Sequence, residues 1–160
     1  MDWKKIINPW QGSPGYNCIG CSKDNPYGLH LDFYEDGDDI VSTWTPSGNY
    51  QGWMGVLHGG IQALLLDEIS GWVIVRKLQT GGVTSKMETQ FLRPVSLSDS
   101  GTLTVRAHIR EQHRNIVLVD ATLANEKGVI CTKATCTYFA YPQEKARNLL
   151  NFKECKLENE

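Results

Sequence analysis

The chain has no excess of basic charge: 16 Lys and Arg stand against 18 Asp and Glu in 160 residues, a formal charge of −2. Without a basic run or stripe, neither nucleic acid nor an anionic membrane is expected as a partner. A long apolar run is missing too. The N-terminus, M-D-W-K-K-I-I-N-P-W-Q, has none of the roughly 7 to 15 consecutive apolar residues of a secretory leader. The most apolar segment is interrupted by Gln62, Asp67 and Glu68, which argues against a membrane span. A cytoplasmic location is expected. Cysteine is scarce and odd in number, five in a chain long enough to bury a core without disulfides, so reduced thiols are expected. No internal repeat or low-complexity segment appears, and the length suits one domain.

What the sequence does have is a dense stretch from Gly52 to Lys77, G-W-M-G-V-L-H-G-G-I-Q-A-L-L-L-D-E-I-S-G-W-V-I-V-R-K. A glycine-rich loop runs into an apolar segment without proline, which predicts a helix from Gly60 to Lys77, roughly 27 Å long. Its apolar residues fall all round the circumference, so most of its surface is expected to be buried. Asp67 breaks this pattern. Of the residues one turn away, Ala63, Ser70 and Gly71 are small and only Leu64 is large, so a ligand has room to approach the carboxylate. Gly59 and Gly60 open the helix with backbone N–H groups at the positive end of its dipole, where a carbonyl oxygen or an anion can be held. Glu68 points about 100° away from Asp67 and reads as a solvated or ion-paired residue. His58 reads as a loop-fixing hydrogen-bond partner.

Around this helix the chain divides into an irregular arm (1–27), a central domain (28–141) and a polar, partly helical tail (142–160) expected to fray. Residues 28–35 alternate Leu29, Leu31 and Phe33 with polar residues, and D-G-D-D then turns into I-V-S-T-W-T, which predicts a hairpin. Four longer strand patterns follow the helix with short connections, which predicts an antiparallel meander. The fold class is therefore α+β, one long helix packed on a sheet of about six strands. In the arm, Cys18 and Cys21 form C-x-x-C. With no second C-x-x-C or H-x-x-x-H to complete a four-ligand site, the pair is expected to pack rather than bind metal, and no cofactor is expected.

Three segments carry a family resemblance: N-C-I-G-C-S-K-D-N-P-Y-G-L-H-L (17–31), Y-Q-G-W-M-G-V-L-H-G-G-I-Q-A-L-L-L-D-E (50–68) and T-S-K-M-E-T-Q-F-L-R-P-V (84–95). The chain resembles the PaaI-like acyl-CoA thioesterases of the hotdog superfamily. The specific feature is H-G-G with an acid seven residues after its second glycine. The resemblance implies a curved antiparallel sheet wrapped round the long helix and a dimer, or two dimers as a tetramer, with acyl-CoA in a tunnel at the subunit interface. It makes Asp67 the nucleophile or general base, acting on a thioester held by Gly59 and Gly60 of the facing subunit, with His58 in the same motif. Gln51 and Gly52, ahead of the H-G-G, would help place the thioester or water, and Thr84 and Ser85 would line the substrate. Arg93 and Arg114 are candidates for the coenzyme A phosphates. Two other readings are a non-catalytic acyl-thioester binding protein and a hotdog dehydratase. The first lacks an appended signalling domain and the second its histidine-bearing loop.

Overall fold

The computed structural model describes residues 1–160. The long helix α1 spans Gly59–Leu78, one residue beyond the predicted range at each end. The His58 side chain caps its start, and Gln79, with φ of 52°, ends it in the left-handed region. Arg76 and Lys77 in the last turn complement the helix dipole. Leu65, Leu66, Ile69, Val73 and Ile74 are fully buried, as an all-round apolar helix requires.

The helix is buried because a single antiparallel sheet curves round it. Its strands are β1 (Lys4–Lys5), β2 (Tyr34–Asp36), β3 (Asp39–Trp44), β4 (Gly82–Phe91), β5 (Leu103–His113), β6 (Ile116–Ala124) and β7 (Ile130–Ala140), in the order β1-β2-β3-β5-β6-β7-β4. Alternation sends Leu103, Val105 and Ala107 of β5 and Val117, Val119, Ala121 and Leu123 of β6 inward, where they meet α1. The hotdog architecture expected from the resemblance is therefore the one observed.

Three details depart from the sequence reading. The meander holds only for β5, β6 and β7. β4 lies outside β7 at the sheet edge, because residues 92–102 cross the helix start, where Leu57 N–H donates to Val95 O and Leu97 N–H to Gly55 O. The predicted strand over 28–35 survives only as β2. His30 takes a left-handed φ of 54°, and the Leu29 and Leu31 N–H groups bond to Ile19 and Gly20 carbonyls in the arm. Leu29, Leu31 and Phe33 are buried nonetheless.

The tail is also better held than expected. After helix α2 (Gln143–Leu150), Phe152, Cys155 and Leu157 are buried. Leu157 bridges to Ile6, and Ile7 N–H bonds Lys156 O at 2.9 Å, so arm and tail zip together. Trp10 ties both to the body. Its indole N–H donates to Leu150 O, and its ring packs against Phe152 and Trp72, with centroids 5.6 and 6.1 Å away. At the end of α1, Arg76 joins Glu35 at 2.9 Å and the Cys155 carbonyl at 2.8 Å.

Candidate active site

Asp67 lies midway along α1, where the helix passes the first residues of β4. The Thr84 hydroxyl donates to Asp67 Oδ1 at 2.7 Å, and no bond within the chain engages Oδ2. Thr84 can reach inward because the strand is bulged between Thr84 and Lys86 and begins at Gly82. A side chain at Gly82 would place a Cβ 2.0 Å from the Phe139 carbonyl oxygen, so only glycine allows β4 to close on β7 here.

The carboxylate opens into a cleft of about 370 Å³ whose walls include Trp10, Tyr16, Trp72, Tyr138 and Leu150. Tyr138 donates to Gly82 O at 3.2 Å, and burial pushes its hydroxyl well above the usual phenol range, so it remains protonated. Aromatic walls, the Asp67 carboxylate with a free oxygen and its supporting hydroxyl, and the Glu68 carboxyl beside them, equip this cleft for carbonyl chemistry.

The helix start forms a separate pocket of about 780 Å³ lined by Gln51, Gly52, His58, Gly59, Phe91 and Arg93, among others. Its loop is held from inside by Gln62, a residue the sequence reading passed over. Gln62 is buried, donates to Leu57 O at 3.1 Å and accepts from Thr132 on β7. Gln51 accepts from Gly55 N–H at 3.1 Å, which closes the loop. The expectation that both helix-start N–H groups are exposed needs correction. His58 Nδ1 accepts from Gly60 N–H at 2.8 Å, so the ring carries its proton on Nε2 and the Gly60 donor is used. No acceptor within the chain takes the Gly59 N–H.

Along α1, eight residues separate Gly59 from Asp67, about 12 Å of rise. Within one chain the two halves of the expected machinery therefore face different pockets. Of the remaining candidates, Arg93 borders the helix-start pocket and donates to Ile130 O at 3.2 Å. Ser85 is exposed and donates to Thr137 O instead of lining the cleft. Arg114 sits at the exposed β5–β6 turn with φ of 56°, bordering neither pocket.

Glu68 is not the solvated or ion-paired residue expected from its position. The folded arm covers it, and its Oε1 takes the Trp72 indole N–H at 3.2 Å and the Cys18 thiol at 3.4 Å. Burial, with Cys18 beside it, raises its pKa to about 7. Cys21 is pushed up by its bond to Cys18 and by burial, while the same bond lowers Cys18. Sequence spacing could not show this meeting, because Cys18 and Glu68 are 50 residues apart.

A long helix wrapped by an antiparallel sheet defines a hotdog protein, and in this one a threonine-supported carboxylate faces a cleft. A family model described as "Thioesterase superfamily" matches residues 54–132, which contain the H-G-G loop, Asp67 and Thr84. The chain has the hotdog fold with a PaaI-like architecture, and over residues 54–132, just under half its length, it is similar to the thioesterase superfamily. A Saccharolobus solfataricus protein, named as a candidate esterase, is 28% identical over 99 residues, 61% of this chain and 63% of that protein; the match thus spans less than two thirds of that relative. A hypothetical thioesterase of Streptococcus pneumoniae, solved with coenzyme A, is 27% identical with a TM-score of 0.64, covering 71% of this chain and 90% of that one. The PaaI protein of the Escherichia coli phenylacetic acid degradation operon aligns over 72% of this chain and 82% of its own with a TM-score of 0.64; at 22% identity it bears on the fold alone.

Proposed function

We propose that the protein is an acyl-CoA thioesterase with Asp67 as its working carboxylate. The observation that carries this reading is the Thr84 to Asp67 bond at 2.7 Å, which fixes one carboxylate oxygen and leaves the other aimed at an aromatic-lined cleft. Thioester hydrolysis needs a base or nucleophile, a donor for the carbonyl oxygen and a dry setting. The first is Asp67 Oδ2. The second is the Gly59 N–H of a facing subunit, at the positive end of its helix. In one route Oδ2 takes a proton from water and the hydroxide attacks the carbonyl carbon. In the other Oδ2 attacks directly and water resolves the resulting anhydride. Either way the carbon–sulfur bond breaks and the coenzyme A thiol leaves.

A second subunit is part of the proposal because Asp67 and Gly59 do not share a pocket within one chain. β4 is a sheet edge with exposed Val83 and Phe91, the feature that edge-to-edge pairing covers. Arg93, beside the helix-start pocket, is placed to meet a phosphate. A cleft of about 370 Å³ with four aromatic walls suits a medium acyl or aryl-acyl group. The coenzyme A bound by the pneumococcal relative adds support for the thiol half of the substrate. The test is a panel of acyl- and aryl-acyl-CoAs scored by thiol release, with no turnover of any of them by folded protein refuting the proposal. Single turnover in ¹⁸O-labelled water identifies the nucleophilic route when label enters Asp67, which only water attack at the Asp67 carbonyl of the anhydride can produce.

A further inference from the structure

The thioesterase reading makes no use of the group formed by Cys18, Cys21 and Glu68. Their two sulfurs and a carboxylate oxygen all lie within 4.8 Å of one another. The surroundings of Glu68 hold thiols and an indole and no cation. As packing, this arrangement is costly, because a carboxyl is withdrawn from water without a charged partner. As a ligand set it is coherent. A tetrahedral zinc ion, with about 2.3 Å to sulfur and about 2.0–2.2 Å to oxygen, holds its ligand atoms about 3.5 to 3.8 Å apart. Cys18 Sγ and Glu68 Oε1, 3.4 Å apart, are already close to that spacing, and the other separations do not exceed 4.8 Å.

The surrounding structure is built to present these atoms. Interactions with the Cys21 side chain and with the Cys21 and Gly20 backbone lower the pKa of the Cys18 thiol, which favours a thiolate. A Cβ at Gly20 would sit 2.5 Å from the Glu68 carboxyl carbon, so the glycine gives that side chain the room to lie against the two cysteines. Behind the ligands, the Trp72 N–H steadies Glu68 at 3.2 Å and the Tyr16 hydroxyl meets Cys21 Sγ at 2.8 Å, the outer contacts that orient metal ligands. No other Cys, His, Asp or Glu joins the group, and all three ligand residues border the cleft that also holds Asp67. The remaining position of a tetrahedral ion thus opens toward solvent in that cleft.

We propose that Cys18, Cys21 and Glu68 bind one Zn²⁺ ion, with a water molecule from the cleft as its fourth ligand. Two thiolates and one carboxylate favour zinc over magnesium or calcium. The ion fastens the N-terminal arm to the middle of α1, one residue from Asp67. The site stands independently of the thioesterase reading.

The test uses the untagged full chain, purified reduced, stripped with a chelator and titrated with Zn²⁺ against a chromophoric competitor, then with Co²⁺. The expected result is about one ion per chain and, with Co²⁺, a sulfur-to-metal charge-transfer band with tetrahedral d–d bands. Cys18→Ser and Glu68→Gln are expected to weaken Zn²⁺ by more than the roughly 10- to 100-fold cost of losing an outer contact, while Cys131→Ser binds as the parent does. Alkylation of the parent chain, followed by mass spectrometry, needs no variant to fold: Zn²⁺ is expected to protect Cys18 and Cys21 selectively. Folded, reduced protein that binds less than about 0.1 ion per chain and shows no charge-transfer band overturns the proposal. So does equal alkylation of both thiols with and without Zn²⁺.

Discussion

The substitution Asp67→Asn removes the charge and little else. The amide oxygen of the introduced side chain can still accept from Thr84 Oγ1, which lies 2.7 Å from Asp67 Oδ1, and the volume beside Gly71 and Tyr138 is kept. Stability should therefore change little, and a thermal melt within about 2 °C of the parent, under 1 kcal/mol for a chain of this size, confirms that the fold is intact. Catalysis should not survive so well. Loss of a positioned base or nucleophile costs about 10²- to 10⁴-fold, or roughly 2.7 to 5.4 kcal/mol of transition-state stabilisation. In the proposed binding mode the coenzyme A arm, away from this carboxylate, supplies most of the substrate's hold, so kcat should fall and KM should stay within a few fold. The assay is continuous thiol release from the best acyl-CoA of the panel. A folded Asp67→Asn variant that keeps more than about a tenth of parental kcat refutes the assignment, because even the weakest general base contributes more.

Thr84→Val tests the support of that carboxylate. It removes a hydrogen bond to a charged group, worth about 1.5 to 3 kcal/mol, so kcat should fall roughly 10- to 100-fold, less than for Asp67→Asn. For the composite site, light scattering at micromolar concentration should give at least twice the 18.0 kDa chain mass, and a monomer would sink the two-subunit arrangement. The tail contributes to stability: Phe152→Ala should cost about 3 to 5 kcal/mol in denaturant unfolding, since the ring is fully buried against Trp10. Glu35 sets an acid limit. Burial alone would raise its pKa, but bonds from Arg76 and Lys77 more than offset this and hold it below the usual value. A lowered folded pKa contributes stability above the unfolded value of about 4.3 and loses it as pH falls through the folded one. Glu35→Gln should therefore cost about 1.5 to 3 kcal/mol at pH 7 and progressively less in acid; an equal cost at pH 7 and pH 3 would contradict this.

Elements whose signals are local could be read straight from the residues. The long helix was legible because apolar residues without proline continue from Ile61 to Val75, and its start because Gly59 and Gly60 follow His58. Asp67 stood out as a carboxylate among small neighbours, and β5 to β7 followed from alternation and short turns. Features that depend on partners distant in sequence were settled only in the folded chain. Whether β4 joins β5 or β7 is fixed by the path of residues 92–102, which alternation does not encode. Glu68 looked solvated because helical spacing gives a direction and not what covers it; the arm, 50 residues earlier at Cys18, supplies the cover. The tail looked polar and loose, yet Phe152 and Leu157 find Trp10 and Ile6 at the opposite end of the chain. Local pattern reads the free energy of a residue with its near neighbours, whereas burial of an acid, a thiol pair or a terminal ring is settled by surfaces that exist only once the chain has closed on itself.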